Sequence, residues 1–128
     1  MVDISKKQIV VQWGFILAQD ENINKECKRS FAQGVTIGRA KENDINPDLP
    51  IVSKKQGKII GASTYLGLSS AVYYQDTSKY GTWYLPPGVK DLSRAILIHK
   101  KRYEIQSGCW LYISDKEKKN SVAMHVLF

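Results

Sequence analysis

The side chains of this chain that could do chemistry fall in three short clusters. Gly38-Arg39 closes one strand-like run, Ser53-Lys54-Lys55 begins fourteen residues after Arg39, and Ser78-Lys79-Tyr80-Gly81-Thr82 follows another such run. Arg39 brings a planar fork of paired donors, Ser53 a short O–H donor and Lys54 a mobile point charge. Together they suit a phosphate dianion. Donor chemistry alone leaves three ordinary polar loops as an equal alternative. Other chemistries find fewer residues. His99 and His125 sit in strand patterns with no Ser, Cys or carboxylate at a telling spacing, so each reads as a surface or packing histidine. There is no G-x-S-x-G, H-E-x-x-H or G-x-x-x-x-G-K, and the carboxylates are scattered without a pair for acid–base work. The expectation is a domain without enzymatic activity, metal or cofactor.

Strands must position these clusters. Gln8 to Leu17 places Val11, Trp13, Phe15 and Leu17 on one face at period two. The polar stretch Gln19 to Lys25 reads as a turn. Val35 to Arg39 is a short strand, and Asn43 to Pro50, with two prolines, is a loop because proline has no N–H to give a central strand. Lys58 to Ala62, Ala71 to Gln75 and Gly81 to Leu85 continue the series, the last ended by Pro86-Pro87-Gly88. Ile96 to Gln106, Trp110 to Ser114 and Ser121 to Phe128 complete it, with Val122, Met124, Val126 and Phe128 on one face. Only the segment around Asp91 to Leu97 suggests a helical turn. Many short strands at regular spacing argue an all-β sandwich, with the three clusters in loops at one end.

Composition narrows the classes further. One domain spanning residues 1–128 fits the length, and the strand pattern running to the last residue suggests a piece of a longer protein. Hydrophobic residues at 43% suffice for a core, yet no apolar run reaches the roughly 18 residues of a membrane span. The opening MVDISKK lacks the apolar run of a secretory signal. Cys27 and Cys109 are too few and too far apart for a disulfide framework or zinc site, and read as reduced packing residues of an intracellular protein. A net charge of +7 favours an anionic partner. The basic residues are dispersed in short groups without interleaved aromatics, which argues against nucleic acid.

At the three clusters the sequence resembles the forkhead-associated (FHA) domain family. That family pattern is Gly-Arg, then Ser-x-x-His, then Asn-Gly-Thr, then a late Gly-Asp. Here the same places read Gly38-Arg39, Ser53-Lys54-Lys55-Gln56, Tyr80-Gly81-Thr82 and Gly108-Cys109. The resemblance runs from Trp13-Gly14 to Phe128 and is nearest to the domains of DNA-damage checkpoint effector kinases and of a double-strand-break sensor subunit. It implies a two-sheet β-sandwich of about eleven strands with ligand loops at one end. It also implies a phosphothreonine-reading interaction module in checkpoint signalling, in the nucleus, with room for a kinase elsewhere in the parent protein. By the resemblance Arg39, Ser53 and Lys54 bind the phosphate, while Lys79, Tyr80 and Ile51 contact the peptide. Gly38, Gln56, Gly81 and Thr82 support the site. Gln56 stands where the family has His, Tyr80 where it has Asn, and Cys109 where it has Asp. The alternative is a degenerate scaffold that binds its partner without phosphate; no membrane partner is expected.

Overall fold

The computed structural model describes residues 7–17, 20–63, 70–114 and 120–128. Ten strands lie in two antiparallel sheets: β1 (Gln8–Leu17), β2 (Asp20–Ser30), β3 (Val35–Ile37), β4 (Gly57–Ser63), β5 (Ser70–Asp76), β6 (Thr82–Leu85), β7 (Ile96–Ile98), β8 (Arg102–Ile105), β9 (Cys109–Ser114) and β10 (Asn120–Leu127). One sheet runs β2-β1-β10-β9-β6-β7 and the other β3-β4-β5-β8. The alternation read from sequence is what packs them. Val11, Trp13, Leu111, Ile113, Met124 and Val126 turn inward from the larger sheet, onto Val35, Ile37, Ile59, Val72 and Ile105 of the smaller. Fully burying an aliphatic or aromatic side chain contributes about 1.5–3 kcal/mol, so this shared face dominates the fold's stability.

Three expectations need correction. Gln19 to Lys25 is no turn where the structure describes it: from Asp20 onward it is part of β2, paired with β1 from Gln8↔Ser30 to Leu17↔Asp20. Only Cys27 of β2 is buried, so this polar edge strand carries no alternation to announce it. Leu17 is exposed instead of joining the inward face: it is the last residue of β1, flanked by Asp20 and Asn120 where both partner strands begin. Ile96 to Gln106 is two strands in different sheets, β7 and β8, separated by a corner at which Lys100 adopts φ 54°. At Asp91 the expected turn forms, a 3-10 turn over Leu92–Arg94, with the Asp91 side chain accepting from the Ser93 N–H.

Loop residues extend the core toward one end. Ile45 and Val52, between β3 and β4, are fully buried, and Leu49 and Ile51 pack partly against the same cluster. Ile45 bridges Ile37, its N–H donating to the Thr36 carbonyl while its own carbonyl accepts from Gly38 N–H. The proline-containing loop is therefore nailed down by apolar anchors.

Burial also decides the thiols. Cys109 is fully enclosed, which pushes its pKa up to about 12, and burial raises Cys27 as well. Native protein at pH 8 should leave Cys109 unmodified by a thiol reagent, whereas urea-unfolded protein should titrate two thiols. Because the folded pKa is raised, the associated stability is complete below the unfolded value of about 8.5 and is lost as pH climbs toward 12. A denaturation midpoint that does not fall between pH 8 and 11 would contradict this.

Candidate functional site

Backbone hydrogen bonds bring the three clusters together. Arg39 N–H donates to the Ser53 carbonyl at 2.9 Å, and Ala40 N–H to the Lys54 carbonyl at 3.3 Å. Lys79 N–H donates to the Ser53 Oγ at 3.0 Å. Ser53 is thus held from both sides, and since its oxygen accepts from Lys79, its own proton is left for an incoming acceptor. Gly38 is needed for this approach: a Cβ there would run into the Lys54 carbonyl and stand 2.7 Å from the Asn43 Nδ2. Asn43 itself donates to the carbonyls of Ala40 and Lys54, 2.9 Å each, clamping the first loop to the second. His99 Nε2 lies 3.0 Å from the Lys79 carbonyl and, facing an acceptor, must be the protonated nitrogen there.

Beneath the loops lies a buried polar network. Gln56, 1% exposed, accepts the Ser53 N–H on Oε1 at 2.9 Å. Its Nε2 donates to the Gly81 carbonyl and Thr82 Oγ1 at 3.0 Å each, so one amide ties the second loop to the third. Asp76, 2% exposed at the end of β5, gathers the rest. It accepts from Ser78 N–H, Ser78 Oγ, Thr82 Oγ1 and, from the β7–β8 corner, Lys100 N–H at 2.9 Å. Tyr74 brings its single phenolic proton to the same place. Thr82 Oγ1 at 2.7 Å is nearer than Asp76 at 3.1 Å or the Gln56 carbonyl at 3.2 Å, which favours a Tyr74–Thr82–Asp76 chain. Burial first, and the Asp76 charge second, push the Tyr74 phenol well above its usual pKa. Ser78 Oγ also accepts the Gly81 N–H at 2.7 Å, at a residue whose φ of 94° favours glycine.

The charge above this network is positive and unspent. Arg39, Lys54 and Lys79 are exposed, and among the described residues the ion pairs are Lys28–Glu26 and Arg29–Asp44. Asp44, in the first loop, is desolvated, but Thr36 and Arg29 outweigh that and hold its carboxyl below the usual range. Lys79 Nζ lies 5.3 Å from the ring centroid of Tyr80, which is 65% exposed.

The residues expected from sequence fall into two groups. Arg39, Ser53, Lys54, Lys79 and Tyr80 share the loop end, on a support that includes Gly38, Gln56, Gly81 and Thr82. Ile51 is half-buried against the core, so only part of it faces outward. Asp76, Tyr74 and Asn43 were not singled out from the sequence, and His99, read there as a surface or packing histidine, is exposed with its ring against the Lys79 carbonyl. The acid ending an otherwise alternating strand, two residues before Ser78, was the available signal for Asp76. Among the described residues no group of three or more His, Cys, Asp or Glu could hold a metal.

No family model matches the sequence, and no curated protein does. Solved structures do match. The MEK1 FHA domain superposes with a TM-score of 0.64 at 17% identity, over 92% of this chain and 88% of that one. Yeast Pml1, a splicing factor solved for its integration into the RES complex, gives 0.68 at 16% identity over 98% and 83%. The FHA2 domain of Rad53, bound to a phosphotyrosyl peptide from Rad9, gives 0.65 at 13% over 94% and 75%. The chain has the FHA-type β-sandwich fold.

Replacing Asp76 by Asn tests the network. The amide keeps the shape but turns an N–H donor toward donors already converging there. Leaving a buried donor without its acceptor costs about 1–3 kcal/mol, so the substitution should destabilise the fold by at least that much. Thermal unfolding that matches wild type would show the carboxylate is dispensable.

Proposed function

We propose that this chain is a phosphopeptide-binding module that reads phosphothreonine on a partner protein and performs no covalent chemistry. The observation that carries this is the stapling of Arg39, Ser53 and Lys79 through Ser53's own carbonyl and hydroxyl, with Lys54 adjoining. Those bonds concentrate three cations and a free hydroxyl proton at one end of the sandwich. A phosphothreonine carries about −1.5 to −2 charges near neutral pH. Charge-assisted bonds contribute about 1.5–3 kcal/mol each, so three supply much of the roughly −8 kcal/mol of a micromolar complex.

The neighbours by fold support the same reading. One FHA domain of like fold (TM-score 0.60, 13% identity, 95% of this chain and 97% of that one) was solved for its phosphothreonine-dependent interactions. The preference for threonine rests on a small apolar pocket for its γ-methyl, which the family resemblance implies. We place the module in nuclear checkpoint signalling on that resemblance alone.

A second reading, a scaffold that holds its partner without phosphate, is favoured by Tyr80. Its phenol cannot make the two-pronged contact that an amide makes with a peptide backbone. Phosphatase treatment of the ligand separates the two readings: the module loses its partner, the scaffold keeps it.

Arg39→Ala should abolish binding of a phosphothreonine peptide while leaving the melting temperature within error, because the side chain is exposed and opens no cavity. Unchanged affinity in calorimetry would sink the site. Tyr80→Asn should tighten the same peptide several-fold by restoring an amide; weaker binding would instead give Tyr80 a contact of its own.

A further inference from the structure

Next to the phosphate loops, on the outer face of the four-stranded sheet, lies a groove of about 400 Å³ whose lining includes Glu42, Lys55, Lys58, Gln75 and Thr77. Its floor follows from strand register. Thr36, Lys58, Gln75 and Arg102 lie in one row across β3, β4, β5 and β8. Neighbouring strands are about 4.8 Å apart, so Lys58 and Arg102 stand roughly 10 Å apart with Gln75 between them. Arg102 Nη2 donates to Gln75 Oε1 at 3.2 Å, which leaves the Gln75 amide N–H₂ as a donor in the groove. Neither Lys55 nor Lys58 has a side-chain partner among the described residues, and Thr77 Oγ1 fixes the Lys55 backbone through its carbonyl at 2.9 Å. The carboxylates of this face are Glu42 and, one row beyond Arg102, Glu104, which pairs across to Tyr73.

We propose that Lys55, Lys58 and the Gln75 amide form a second anion subsite for the partner bound at Arg39, Ser53 and Lys54; the inference rests on that phosphothreonine reading. The same short loop serves both sites, with Lys54 beside the phosphate donors and Lys55 turned into the groove. Consecutive Cα atoms are 3.8 Å apart and a lysine ammonium reaches about 6 Å from its Cα. The two anions would therefore lie on the order of 10–15 Å apart, or about three to five residues of extended chain. The subsite takes a negatively charged side chain, whether a second phosphorylated residue or an acidic one, and selects partners modified or acidic near the phosphothreonine.

Peptides with one phosphothreonine and a second phosphoserine placed at each position up to five residues before or after it test this. A matching set carries paired aspartates at those positions, and a third set is neutral there. At the right spacing the doubly phosphorylated peptide should bind wild type about tenfold tighter than the neutral one, with the gain shrinking at high salt. An aspartate gain of similar size would identify acidic sequence as sufficient. Lys55→Ala combined with Lys58→Ala should erase the gain and leave the neutral peptide's affinity unchanged. No gain at any spacing, or a gain that survives the double substitution, overturns the subsite while ordinary phosphothreonine binding stands. Failure of the neutral phosphothreonine peptide to bind wild type overturns the underlying reading and the subsite with it.

Discussion

A single buried carboxylate organises the loop end of this protein. Asp76 collects hydrogen bonds from a tyrosine-supported threonine, from Ser78 and from the backbone of Lys100, with no ion pair to it among the described residues. A desolvated charge is tolerable when donors surround it, and each donor is then fixed in place by a strong bond. Ser78 passes that order on to Gly81, and Thr82 passes it to Gln56. From Gln56 it reaches Ser53. The basic groups at the surface are positioned by a chain of bonds that starts at an acid several residues away.

This arrangement explains why glutamine can occupy the place of the family's histidine. One amide oxygen and two amide protons meet one donor and two acceptors, so the side chain is fully satisfied while sealed from water. Tyrosine at residue 80 is a different kind of change. It is exposed and touches Lys79, outside the network, and so alters what the surface offers without disturbing what holds it. The buried support and the exposed surface are separable in this fold.

Strand alternation made most of the sandwich legible: along Ala71 to Gln75 buried Val72 and Tyr74 alternate with less buried neighbours, and in β10, covered on both faces, the apolar residues Val122, Met124 and Val126 still recur at period two. β2 was opaque, since a polar edge strand owes its form to pairing with β1. The β7–β8 corner was opaque for another reason: a run of strand-like residues does not say where the chain changes sheets. At the site, Arg39, Ser53 and Lys54 were readable as donors because donors face outward. Asp76 and Tyr74 were not, because a buried network is defined by partners far apart in sequence, 24 residues in the case of Asp76 and Lys100.

The pairing of β1 with β10 puts the two ends of the described chain side by side, from Val10↔Leu127 onward. Phe128 packs edge-on against Phe31, and Phe31 crowds Gly61, four residues along β4 from the loop-end Gly57. That is about 13 Å of strand at 3.3 Å per residue. Both ends therefore emerge at the pole opposite Arg39 and Ser53. A tether attached at that pole, to another domain or to a surface, leaves the loops free to sweep a volume. Local concentration of a partner then depends on the tether's length and stiffness.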